Sequence, residues 1–167
     1  IIMKDPAAMQ VIENKIYKTE FIVNPFGWTD AGIDPLWNWQ SVPFVESSDG
    51  SLPDEPGLYA FVVSVPFAGV PPHGWVLYLG ETGDGVSKHS LKKRFRDYWR
   101  ERTDNKRLDI FLMLNAWDDD LRFHYLALPS EKHRLKHIET RLLDTFKPPF
   151  TKQGYSAQEQ SPQNAFL

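Results

Sequence analysis

The sequence predicts an α+β domain: a small antiparallel sheet of three to four strands flanked by helices, carrying an N-terminal extension. Three observations lead there. Residues 58–65 and 75–79 are runs rich in β-branched and aromatic side chains, the composition of strands. Leu91, Phe95, Tyr98 and Trp99, and later Leu135, Ile138, Leu142, Leu143 and Phe146, recur at helical spacing. A chain of 167 residues also suffices for one packed core without needing two.

Taken in order, residues 1–50 read as an extension packed on the core. It holds a strand-like segment, 15–23, then a Trp- and Pro-rich stretch with Trp28, Trp37 and Trp39. Aromatic area of this kind is spent mainly on burial, so packing is expected there rather than a binding cage. Ser47-Ser48-Asp49-Gly50-Ser51 is a loop, and Pro53 and Pro56 fix the approach to the next element. The core domain is expected over 51–155. Its first two strands, 58–65 and 75–79, are joined by a wide loop, since 66–74 hold three prolines and two glycines. A glycine-containing loop, 81–89, leads to Ser90, a suitable N-cap for the first helix. Residues 110–117 and 121–128 read as two more strands about the acidic turn Asp118-Asp119-Asp120. Ser130 is the expected cap of a final helix, which Pro148 and Pro149 end. Residues 156–167 form a polar tail.

Composition narrows the function. Hydrophobic residues at 41% and charged residues at 25% are ordinary for a soluble globular protein. No run approaches the roughly 18 apolar residues of a membrane helix, and no basic-then-apolar leader opens the chain. No membrane partner is therefore expected, and a cytoplasmic location is the default. The absence of cysteine excludes disulfides and thiolate metal sites. The net charge of −3 is unevenly spread: residues 1–60 carry three Lys and nine acids, a net of −6. Residues 88–107 carry nine basic and three acidic residues, a net of +6. Such a local excess is what a phosphate footprint requires, although a solvated, salt-bridged helix face looks the same in sequence.

Several residues stand out from their surroundings. Arg94 and Tyr98 are four apart on one helix and project from the same side. Lys92 and Lys93 lie in its first turn, where the helix dipole disfavours cations unless an anion docks on the free N–H groups. Glu139 lies inside the apolar stripe of the last helix, where a charge needs a cation or a metal ion. The alternatives are metal ligation or a salt bridge to Arg94 or Arg141. Tyr59 and Tyr78 sit on predicted strands, where core packing would also explain them. His133 and His137 are four apart without a third ligand at matching spacing, and Asp118–Asp120 read as a solvated turn. No glycine-rich loop of the nucleotide-binding kinds is present.

As an ordered set these residues are more specific than singly. Gly57-Leu58-Tyr59, Tyr78-Leu79-Gly80, the helix Leu91-Lys92-Lys93-Arg94 with Tyr98, and Glu139 before Lys147-Pro148 resemble the GIY-YIG nuclease family over about residues 54–152. The resemblance implies a GIY-YIG-like fold and a metal-dependent endonuclease that hydrolyses DNA phosphodiester bonds, leaving 5′-phosphate and 3′-hydroxyl ends. It implies catalytic roles for Tyr59, Tyr78, Arg94, Tyr98 and Glu139, with one tyrosine helping to deprotonate the attacking water. Glu139 would hold one Mg2+ or Mn2+ ion. Gly80, Lys92, Lys93, Arg96, Arg100 and Thr151 would meet the nucleic acid, which is DNA with RNA left open. Specificity would come from the extension, a homodimer or a partner protein. Relatives often carry an asparagine after the Lys-Pro and a lysine after the Tyr-x-Gly; Thr151 and Glu81 stand in those regions here. The alternative is a catalytically inactive binding module of the same fold.

Overall fold

The computed structural model describes residues 36–64, 73–104, 106–117, 120–152 and 154. The expected strand at 15–23, Trp28 and the tail at 156–167 lie outside them, as do Asp118 and Asp119. The elements are β1 (Gln40–Pro43), β2 (Gly57–Val63), β3 (Trp75–Thr82), α1 (Leu91–Glu101), α2 (Leu108–Ala116), β4 (Leu121–Ala127) and α3 (Leu135–Phe146), with short 3-10 turns at Glu46–Ser51 and Pro129–Glu131. The four strands form one sheet in the order β1-β4-β2-β3, and every pairing is antiparallel.

Residues of β2 are all buried, because both faces of the sheet are covered. On one face Tyr59, Phe61 and Phe123 pack with Phe95 and Tyr98 of α1 and with Ile110 and Met113 of α2. On the other, Leu58, Leu79 and Leu126 pack with Leu135, Ile138 and Leu142 of α3. Trp37 and Trp39 are half-buried against this second cluster, the packing role expected of them. The segment read as an extension also supplies β1 and Phe44. The Phe44 ring meets Phe61 and Phe95 edge-on at 5.0 Å each, so this segment is part of the described core.

One element differs in kind. Residues 110–117, expected to be a strand, lie in helix α2. An apolar run this short has no periodicity that separates a buried strand from a buried helix. Ile110, Met113 and Leu114 are buried at i, i+3 and i+4, a helical face, and Leu and Met favour that conformation. The Asn115 side chain locks the register by donating to the carbonyls of Phe111 (2.7 Å) and Arg102 (3.2 Å). The start of the last helix differs too. Ser130 is exposed within the 3-10 turn, and α3 begins at Leu135 with no capping side chain from its own N-cap. The cap comes from far away in sequence: Asp84 Oδ1 accepts the Lys136 N–H at 3.2 Å.

Edge strand β3 is the element that positions the site. Its outward backbone groups would be free to pair with another chain. Instead Phe150 N–H donates to the Leu77 carbonyl (3.0 Å), and Leu79 N–H donates to Thr151 Oγ1 (3.2 Å). The next outward donor, Glu81 N–H, goes to a carboxylate of α3.

Candidate active site

Helix α1 begins as expected. The Ser90 hydroxyl accepts the Lys93 N–H at 3.2 Å, and the same hydroxyl donates to Asp54. Leu91 N–H and Lys92 N–H are taken by the carbonyls of Glu55 (2.9 Å) and Pro53 (3.2 Å). The first-turn donors are thus all satisfied internally, which leaves none for a phosphate. The chemistry of α1 lies one turn further on, at Arg94.

Tyr59 is the hinge of the aromatic half of the site. It stands opposite Gly80 in the β2–β3 pairing and is 1% exposed. Its hydroxyl lies over Gly80: a Cβ at that position would sit 2.5 Å from Tyr59 Oη. The glycine is therefore required by the tyrosine. Arg94 Nε donates to Tyr59 Oη at 3.0 Å, and the hydroxyls of Tyr59 and Tyr98 share a hydrogen bond at 3.1 Å. The Arg94 guanidinium stands 5.2 Å from the Tyr98 ring centroid, within cation–π range. Tyr78 stacks on Tyr59 at 6.1 Å and meets Tyr98 edge-on at 5.8 Å. All four side chains expected to line a phosphate from this direction are thus in one cluster.

Burial pushes the Tyr59 phenol well above its ordinary pKa, and it does the same to Tyr98. Both are neutral hydrogen-bonding groups at any physiological pH. Burial works against the Arg94 charge, whereas the hydrogen bond its Nε donates to Tyr59 works for it, and the guanidinium stays protonated. No carboxylate pairs with Arg94 among the described residues. A half-buried cation held only by neutral phenols keeps its attraction for an anion.

Glu139 supplies the acidic half from the other face of the sheet. Its side chain is 10% exposed. Oε1 accepts the Glu81 N–H at 3.2 Å, and Oε2 is 2.5 Å from the Lys136 ammonium. The counter-ion is thus Lys136, neither Arg94 nor Arg141. Burial, and then the nearby Glu139 charge, raise the pKa of the Glu81 carboxyl, whose Oε2 accepts the Asp84 N–H at 3.3 Å. Tyr78 belongs to the aromatic half and is carried by β3, the strand whose Glu81 N–H holds Glu139.

Glu139 is the residue that could hold a divalent ion. A cation, the Lys136 ammonium, already rests on Glu139 Oε2, and Glu139 and Glu81 offer the hard oxygens that Mg2+ and Mn2+ prefer. Among the described residues no group of three or more His, Cys, Asp or Glu converges, so Glu139 would hold an ion largely through water. His133 lies in the turn before α3 and His137 on α3, both exposed, so the expected helical pair does not form on one helix.

The other expected contacts disperse. Lys92 is half-buried, and Lys93 is exposed without an ion-pair partner among the described residues. Arg96 is committed to Asp49 through two hydrogen bonds of 2.7 Å, and Arg100 pairs with Asp97 at 3.3 Å. Thr151 is buried, its hydroxyl bonded to the Leu79 backbone, so it braces the strand that carries Tyr78 and Gly80. Two cations escaped the sequence reading. Lys136 is three residues before Glu139, a spacing that could have revealed it. Arg107 lies 5.5 Å from the Tyr98 ring and pairs with Glu101; it precedes a segment read as a strand, so nothing in the sequence pointed to it.

No family model matches the chain, and neither a curated protein nor a solved structure matches it. Among the described residues, no helix is long and apolar enough to cross a membrane.

Proposed function

We propose that this protein is a divalent-metal-dependent endonuclease that hydrolyses phosphodiester bonds of DNA, with an active site of the GIY-YIG kind. One observation carries the reading: the half-buried Arg94 guanidinium is held by two phenols with no carboxylate partner among the described residues, while the buried Glu139 carboxylate is oriented by the Glu81 N–H of β3, the strand that carries Tyr78 and Gly80. Arg94 grips a non-bridging oxygen of the scissile phosphate and offsets the charge that builds there. Tyr59 and Tyr98 stay protonated, so they orient Arg94 and do not act as bases. Tyr78, the half-buried phenol, is the tyrosine that can reach the attacking water. A Mg2+ or Mn2+ ion held through Glu139 would polarise the phosphate and stabilise the leaving oxygen. Attack of water on phosphorus with loss of the 3′ oxygen leaves a 3′-hydroxyl and a 5′-phosphate. Exposed Lys93 adds affinity for the backbone without reading sequence.

The Lys136–Glu139 pair favours a second reading, a module that binds nucleic acid without cutting it, because an ammonium already neutralises the carboxylate. Plasmid DNA incubated with Mn2+ separates the two. The expected result is nicking or cleavage by the protein, lost in Arg94→Ala and in Glu139→Gln. Glutamine is chosen because its amide oxygen can still accept the Glu81 N–H. Binding without cleavage would leave the module; neither binding nor cleavage would remove both.

A further inference from the structure

We infer that Lys136 is a tethered cation that reserves the ion position on Glu139, so that a divalent ion binds only by displacing the lysine. This rests on the proposed metal role of Glu139 and adds a residue that sets the affinity of that site.

The two partners are unequal. The Glu139 side chain is 10% exposed, whereas that of Lys136 is 57% exposed. Glu139 Oε1 is fixed to the edge of β3 by the Glu81 N–H, so only Oε2 is left for exchange, and Oε2 is the oxygen that Lys136 holds. A buried carboxylate needs a counter-charge at all times. Lys136 supplies it when no ion is bound, then retreats along its flexible stem into solvent when one is.

The backbone at Gly154 borders the pair, where an added Cβ would first meet Leu143 Cδ1 at 2.8 Å. Gly154 lies over both groups, at a backbone φ of +98° that favours glycine. A Cβ there would stand 3.5 Å from Lys136 Nζ and 3.7 Å from Glu139 Oε2.

Mn2+ binding to the full chain, read from the free-ion electron paramagnetic resonance signal, tests the inference without relying on cleavage. Lys136→Met keeps the apolar stem and removes the competitor. It should bind Mn2+ about fivefold more tightly than the wild type, the scale of a partly exposed ion pair, while Lys136→Arg stays near the wild type. Glu139→Gln should lose the binding. Equal or weaker Mn2+ binding by Lys136→Met, with the Glu139→Gln loss intact, would overturn the role of Lys136 and leave the metal reading standing. Absence of Mn2+ binding in the wild type and Lys136→Met alike would remove both.

Discussion

Replacing Tyr59 by phenylalanine deletes one oxygen and keeps the ring in its stack between Tyr78 and Phe123. That oxygen accepts from Arg94 Nε at 3.0 Å and shares a hydrogen bond with Tyr98 at 3.1 Å, in a position closed to solvent. A lost hydrogen bond to a charged donor costs about 1.5–3 kcal/mol, and a neutral one about 0.5–1.5 kcal/mol. The Arg94 head is only half-buried and can turn another nitrogen to water, which favours the lower part of these ranges. Tyr59→Phe should therefore destabilise the fold by about 2–3 kcal/mol. Tyr98→Phe breaks only the neutral contact and should cost about 1 kcal/mol. The double variant should cost less than the two together, because the shared hydrogen bond can be lost only once. Urea unfolding followed by tryptophan fluorescence measures all three, provided the slope with denaturant is unchanged. Equal losses in the two single variants, or a loss under about 0.5 kcal/mol for Tyr59→Phe, would refute the assignment of the Tyr59 oxygen as the acceptor that orients Arg94.

Gly80→Ala should cost about 1–3 kcal/mol by overpacking, since its Cβ would meet the Tyr59 phenol and could be relieved only by shifting a ring stacked on Phe123. Cleavage at a temperature where the variant is still folded should fall as well, because the displaced hydroxyl releases Arg94. His124 lines the apolar cavity with Trp37, Trp39, Val76 and Leu142, and burial, then the Arg122 charge, lower its pKa from 6.5. The stability it contributes is present above pH 6.5 and is lost as pH falls through the lowered folded value. His124→Gln should flatten that part of a stability-against-pH curve; an unchanged slope would show that the imidazole titrates in water.

Helices and strands were legible where amphipathic spacing or β-branched runs left one answer. Ser90 and the apolar positions after it gave α1, and the stripe from Leu135 to Phe146 gave α3, although its cap did not follow. Ser130 has the right chemistry for a cap, but Pro129 draws it into a 3-10 turn, and Asp84 reaches the helix from a loop 52 residues away. Local sequence carries no mark of such a partner. Helix α2 was lost because Ile110, Leu112, Met113 and Leu114 are all buried, which erases the polar side that marks a helix. In the site, Glu139 was visible as a charge in an apolar stripe. Its partner Lys136 was within reach of the sequence, three residues earlier on the same helix, whereas the Glu81 N–H on its other oxygen follows from the position of β3 and leaves no local mark.

That position explains why the site forms where it does. Arg94, Tyr98 and Tyr59 approach from the face covered by α1 and α2, whereas Glu139 and Lys136 approach from the face covered by α3. On an inner strand such as β2 the sheet itself would keep these groups apart. On β3 there is no further strand outside, so a carboxylate from one face can bond the outward N–H of Glu81 while Tyr78 and Gly80 of the same strand face the guanidinium cluster. The same bond blunts an exposed edge that would otherwise invite pairing with another chain. On the proposed metal role Glu139 serves fold and chemistry at once, and the two uses predict different responses. Glu139→Gln keeps an acceptor for the Glu81 N–H and removes the charge, so stability should hold while metal binding fails. Glu139→Leu removes both, leaves that N–H unpaired, and should cost about 1–3 kcal/mol in urea unfolding as well. Equal stability of the two variants would mean that the edge is closed by Thr151 and the Phe150 segment alone, and that Glu139 owes its position to α3 instead of β3.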